Sequence, residues 1–169
     1  MEQYIIQIAI FIAINIILAT SLNLINGITG QFSLGHAGFM GVGAYVSAVL
    51  AKTQGLPILA TILAGALVAG LVGVFIGFPV LRLKGDYLAI VTLGFGEIIR
   101  VIFLNMEITG GARGLPGIPG DVNLLVSYFF AFVTVIVILN IMHSTDGRAF
   151  LAIREDEIAA ESMGVNITR

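Results

Sequence analysis

VNLLVSYFFAFVTVIVILNIM (residues 122–142) runs directly into HSTDGRAFLAIREDEIAAESMG (residues 143–164). The first string has no charged side chain and is long enough to cross the roughly 30 Å hydrocarbon layer of a bilayer as a helix. The second carries seven charged residues and its own helix-end signals. It is too short to be a domain and too patterned to be a tail. It reads as a docking element, through which something in the water phase acts on something in the membrane.

The rest of the chain fits that reading. Of its 169 residues, 58% are hydrophobic and 11% charged, and the mean hydropathy is +1.06. Soluble domains run about 45–50% apolar and about 25% charged. The composition is that of an integral membrane protein. A net charge of -2 without a Lys/Arg cluster excludes a nucleic-acid partner. Absence of Cys excludes a disulfide framework and a thiolate metal site. No Trp is present, so interfacial anchoring falls to Tyr and charged residues. Met1-Glu2-Gln3 lacks the basic start of a cleaved signal peptide, so the first apolar run is expected to be retained.

The expected fold is an all-α integral membrane protein with about five transmembrane helices and a coupling segment on the water side. The runs lie at 4–25, 37–51, 56–81, 87–106 and 122–142, with residues 143–169 as the coupling segment. Pro57 falls in the first turn of its run, where a missing N–H costs least. Asp86 is a candidate cap for the fourth run, and Asp146 for the segment after the fifth. If every run crosses, Arg82, Lys84, Arg148, Arg154 and Arg169 share one side, and Lys52 and Arg113 the other. The positive-inside rule then places the Arg82 loop and the C-terminal segment in the cytoplasm. The run at 37–51 is short; if it re-enters rather than crosses, everything upstream inverts.

Several features point towards transport. The Gly-rich break between the first two runs contains Ser33 and His36, with Asn23 just before it. Irregular backbone at membrane depth is tolerated where it lines a cavity or is packed in protein. The alternative is an ordinary loop in which Ser33 caps the next helix. Glu97 and Arg100 lie three apart on one helix face, and ionisable residues at membrane depth mark functional sites by default. They are read either as pathway groups or as a self-neutralising structural pair. Thr109 opens a Gly- and Pro-rich loop expected to cap the mouth of a pathway, or simply to be surface loop. Gly70, Gly73 and Gly77 form a small-residue face on the third run, suited to close helix packing within the chain or against another subunit. There is no Gly-Lys-Ser/Thr phosphate loop, no H-E-x-x-H and no Gly-x-Ser-x-Gly. No catalytic role, metal or cofactor is expected.

In the C-terminal segment, Phe150, Leu151, Ile153, Ile158 and Met163 supply an apolar side, and Arg154, Glu155, Asp156, Glu157 and Glu161 a polar one. Asp156 is expected to restart the helix, and Gly164 to end it. An excess of acidic residues disfavours adsorption to anionic lipid. A protein partner fits better.

These strings together resemble a known family. Glu157-x-Ala-Ala-x-x-x-Gly164 resembles the cytoplasmic loop by which ABC importer permeases dock on their ATPase subunits. GQFSLGHAGFMGVGAY (30–45) is similar to branched-chain amino acid permeases in general, and KGDYLAIVTLGFGEIIR (84–100) to the LivM type rather than its LivH-type partner. TGG (109–111), GIP (117–119) and AIRED (152–156) fit the same type. The resemblance implies a multi-pass permease subunit of the bacterial or archaeal plasma membrane, importing branched-chain amino acids. It implies partners: ABC ATPase subunits, a LivH-type second permease and an extracytoplasmic substrate-binding protein. It also implies that Arg148, Arg154, Glu155, Glu157, Ala159, Ala160 and Gly164 serve ATPase coupling, and that Asn23, Ser33, His36, Glu97 and Thr109 are candidates for the pathway. Family members are longer, so the chain is expected to correspond to an N-terminal part. The near alternative is a urea or short-amide importer permease. From other classes come a stand-alone channel or proton-coupled carrier using His36 and Glu97, and a non-transporting scaffold.

Overall fold

The computed structural model describes residues 2–80, 83, 85–118 and 122–165, and not the side chain of Glu157. Arg82, Lys84, Pro119 and Arg169, together with the last residue of the expected 56–81 span, lie outside the described residues. The described residues are helical with no strand, an all-α membrane protein.

Seven α-helices follow in order: α1 (Glu2–Asn23), α2 (His36–Gln54), α3 (Ile58–Val80), α4 (Asp86–Asn105), α5 (Leu124–His143), α6 (Thr145–Glu155) and α7 (Glu157–Ser162). Among the described residues, four stretches are long and apolar enough to cross a membrane: α1 with the turn that continues it (Glu2–Ile28), α3, α4 and α5. The expected crossing at 37–51 is α2, whose 19 residues span about 28 Å at the α-helical rise. Its glycines and terminal Lys52 make it less apolar than the other four.

Several polar residues inside the spans bond to a carbonyl one turn back. Asn15 Nδ2 donates to Phe11 O at 2.8 Å, Thr20 Oγ1 to Ile16 O at 2.7 Å and Ser21 Oγ to Ile17 O at 2.8 Å. Asn105 and Thr134 do the same to Val101 and Phe130. These side-chain donors are then not left facing hydrocarbon without a partner. Pro57 stands just before α3 rather than inside it, and its carbonyl receives the N–H groups of Ala60 and Thr61 at 2.9 and 3.2 Å. Asp86 is not the cap of α4. Gly85 holds that position, with φ 60°, and Asp86 is the first helical residue, where its charge favours the positive end of the helix.

The chain divides into two compact units, residues 1–31 with 122–169 and residues 32–121. In the first, α1 packs along α5 and α6 packs against the end of α1. In the second, α2 and α3 form an antiparallel hairpin and α4 packs on α2. The second unit is held by glycine contacts. A Cβ on Gly65 of α3 would stand 2.5 Å from the Gly43 carbonyl oxygen of α2, and one on Gly38 would stand 2.9 Å from the Gly96 Cα of α4. The expected packing face on α3 lies elsewhere. Gly70 has nothing within 4 Å of its would-be Cβ, and Gly73 meets only Phe39, at 3.9 Å. Gly77 is half-buried. Within the unit, then, Gly65 rather than Gly70 or Gly73 carries the close approach.

Candidate functional site: the coupling segment and the α2–α4 cavity

Within the first unit, α5 ends at His143 and the chain turns sharply into α6. Ser144 rather than Asp146 is the N-cap: its Oγ accepts the Gly147 N–H at 3.1 Å, and Asp146 sits in the first turn. Gly147 is buried because a Cβ there would strike the carbonyl oxygens of Ile141 and Met142. The turn needs that glycine as much as the cap.

α6 stops at Glu155, and Asp156 restarts the chain as α7. Its Oδ1 accepts the N–H groups of Ile158 and Ala159, both at 3.0 Å. α7 ends in a Schellman motif. Val165 N–H bonds Ala160 O and Gly164 N–H bonds Glu161 O, each at 3.0 Å, with Gly164 at φ 87°. A left-handed backbone at this point is what glycine tolerates and other residues resist. The expected break at Asp156 and end at Gly164 both occur.

The candidate coupling residues do not form one face. Arg148, Glu155 and Ala159 are exposed, as are Ile158 at 78% and Met163 at 85%. Ala160 is buried within the chain, at 5% exposure. It therefore packs internally instead of waiting for a partner, and the outward apolar groups are Ile158 and Met163. Arg154 is also engaged within the chain. Its Nη1 donates to Gly27 O at 2.7 Å and its Nη2 to Glu155 Oε1 at 2.8 Å, while its stem passes over Gly30.

The acceptor of that bond lies in a π-helical turn, Leu24–Ile28, that continues α1. Thr29 N–H reaches back five residues to Leu24 O at 3.1 Å, and Gly30, at φ 70°, ends the turn. Such turns widen the helix and redirect carbonyls. Asn23, a pathway candidate, is exposed at the start of this turn, its amide filling the space that Gly27 leaves open. The irregular segment foreseen between the first two runs thus begins in a π turn, which Arg154 joins to the coupling segment, and continues as non-helical chain up to His36.

In the second unit, Gly35 and not Ser33 occupies the cap position of α2. Ser33 and His36 are half-buried. Leu34 N–H donates to Thr92 Oγ1 at 3.1 Å, and that hydroxyl donates to Ala89 O at 3.0 Å, pinning the start of α2 to α4. Thr109, another pathway candidate, is engaged within the chain. Buried at 2% exposure, its hydroxyl donates to Phe103 O at 2.5 Å and Met106 O at 2.8 Å. It closes the carbonyl end of α4. The loop around it is more ordered than its composition suggests, with two 3₁₀ turns at Glu107–Thr109 and Gly111–Arg113. Lys52 Nζ ties it to the end of α2 through Pro116 O at 3.1 Å.

Glu97 and Arg100 form an ion pair at 2.7 Å on α4, with side chains 58% and 67% exposed. They border a 340 Å³ cavity between α2 and α4, whose walls include Leu34, Tyr45, Ile99, Phe103 and Leu104. Tyr45 and Phe103 stack across it with ring centroids 4.5 Å apart. Sequence reading singled out the ion pair but not the aromatic pair. Tyr45 and Phe103 sit on different helices, and no spacing within either marks them as partners.

A family profile described as branched-chain amino acid transport system / permease component matches residues 4–169. Two curated relatives are the high-affinity branched-chain amino acid transport system permease proteins LivM of Salmonella typhimurium and Escherichia coli K12. Each is 37% identical over 199 aligned positions, covering 97% of this chain and 47% of the relative. The chain therefore spans about half the length of the curated relatives it matches. No solved structure matches it. Near-complete coverage by the profile, on a helical framework of membrane-spanning length, shows that the chain belongs to the permease-component family of branched-chain amino acid transport systems.

Proposed function

We propose that this chain forms membrane-spanning structure in an ATP-driven importer of leucine, isoleucine, valine and related amino acids in a plasma membrane. ATP hydrolysis takes place on separate ATPase subunits, consistent with the lack of a phosphate-binding loop here. A second, LivH-type permease completes the translocation unit, and an extracytoplasmic binding protein delivers the substrate. α2 crosses the membrane along with the four more apolar segments, and α6–α7 lies in the cytoplasm.

The observation that carries the reading is the α6–α7 pair itself. Two short capped helices directly after a membrane span, presenting Ile158 and Met163 outward, form an element suited to a groove on a soluble partner. A gradient-driven carrier needs no such element. Ser144, Gly147 and the Arg154 bond give the pair defined points of attachment to α5 and to the end of α1. A push on α7 then reaches the spans through packed structure.

The test uses the intact transporter with its partner subunits. Ile158→Glu or Met163→Glu, both at exposed positions, should leave the permease folded. Each should reduce ATPase co-purification by about tenfold or more, the effect of removing an apolar anchor from an interface. Capture of the loaded binding protein should persist. Co-purification and uptake both at the unaltered level would remove the docking role.

A further inference from the structure

We infer that the cavity between α2 and α4 is a low-affinity subsite for a zwitterionic aliphatic amino acid, with Glu97 and Arg100 recognising its charged ends. The inference rests on the proposed import function and gives it a location. Glu97 and Arg100 are the twelfth and fifteenth residues of the 20-residue α4, well inside the span. Their side chains are more than half exposed. An ion pair at that depth is costly against lipid, and such groups face a watery cavity or the interior of a bundle. The 340 Å³ cavity on that side of α4 is within the usual range for small-ligand sites, roughly 300–1,000 Å³.

The chemistry of the pair fits a zwitterion without the pair having to open. Among the described residues, the bond between them uses one Arg100 nitrogen, Nη1, and one Glu97 oxygen, Oε1. The guanidinium keeps further N–H donors and the carboxylate a second oxygen. An amino acid laid antiparallel across the pair places its carboxylate on the remaining Arg100 donors and its ammonium on Glu97 Oε2. Each charge then has opposite neighbours, and the assembly stays neutral, as a low-dielectric site requires. The aliphatic side chain enters the apolar part of the cavity, against Leu34, Ile99, Leu104 and the stacked rings of Tyr45 and Phe103. An anion or a cation alone would leave an unbalanced charge, so the site selects zwitterions. The open rim and self-paired charges make for weak binding, which lets cargo leave as well as enter.

The absence of Cys from the chain makes the test clean. Ala37 lines the cavity and is exposed, so Ala37→Cys supplies the reporter in an intact transporter from which any cysteines of the other subunits have been removed. Its rate of modification by a small thiol reagent is followed without the binding protein. Millimolar leucine should slow the reaction, while leucinamide and 4-methylpentanoate, each lacking one of the two charges, should not. Glu97→Gln with Arg100→Gln, an uncharged polar pair, should weaken protection by about tenfold to a hundredfold, the range for lost charge-assisted hydrogen bonds. Protection is read relative to each variant's own unprotected rate, so a change in that rate does not enter the comparison. Equal protection by leucine and its amide, or no protection in a transporter that imports leucine, overturns the subsite and leaves the import reading standing. A transporter that assembles and hydrolyses ATP but imports no branched-chain amino acid overturns the import reading itself. If the double variant fails to assemble, the three-ligand comparison on Ala37→Cys alone decides.

Discussion

Gly30→Ala should detach the coupling segment from the end of α1. Two effects add. Gly30 has φ 70°, and an L-residue held in the left-handed region costs roughly 1–2 kcal/mol. The new methyl would also stand 2.5 Å from Arg154 Cγ and 3.3 Å from its Cβ, so the arginine stem must move. Moving it breaks the 2.7 Å bond to Gly27 O. A hydrogen bond to a charged group contributes about 1.5–3 kcal/mol, and the lower end applies because the Arg154 side chain is 43% exposed and screened by water. The sum is roughly 2.5–3.5 kcal/mol, an increase of about seventyfold or more in the local opening constant. Hydrogen exchange on the intact transporter reads this directly in the amides of Leu24–Ile28 and Thr145–Glu155. Arg154→Ala is the control: in that background, Gly30→Ala should cost only the backbone strain, so the two changes should be strongly non-additive. Additive effects, or exchange in α6 unchanged by Gly30→Ala, would refute the link.

Three further outcomes follow from the packing. Gly65→Leu should sharply reduce folded protein on size-exclusion of the solubilised transporter, because the side chain meets the Gly43 carbonyl, whereas Gly70→Leu should be tolerated. Gly147→Ala should make the α5–α6 turn susceptible to trypsin at Arg148, since its Cβ cannot coexist with the Ile141 and Met142 carbonyls; unaltered resistance would mean the turn has another solution. Cysteine at Ala112 should react with an impermeant thiol reagent in intact cells and cysteine at Asp146 should not, and the opposite pattern would reverse the proposed orientation.

The helices were legible because apolar runs of membrane length are a direct physical signal. Helix ends were legible in part. Asp156 and Gly164 stand out because each has the side chain or backbone its role needs and no rival nearby. Asp146 was the wrong choice among three adjacent capping residues. Ser144 takes the role because the chain must turn off α5 at that point, with Gly147 tucked beneath it. Gly70, Gly73 and Gly77 illustrate a different limit. A small-residue face announces that a helix can be approached closely, but the approaching surface is on another element. Here Gly43 meets Gly65 instead. The bonds of Thr109 to two carbonyls at the end of α4 also come from the fold, and its place in a Gly-rich loop gave no sign of them. The Arg154–Gly27 bond joins residues 127 apart, and nothing local in either stretch foretells it.

The π turn at Leu24–Ile28 has a consequence for register. A π turn holds one residue more than an α turn of the same height. Were that surplus residue drawn back into α geometry, everything after it would swing by about 100° around the helix axis, the angle that separates neighbours in an α-helix. Gly27 would then carry its carbonyl away from Arg154, and Gly30 would no longer lie beneath the arginine stem. The guanidinium's bond to the Gly27 oxygen therefore favours the register with the surplus residue in place, and rewinding would forfeit that bond.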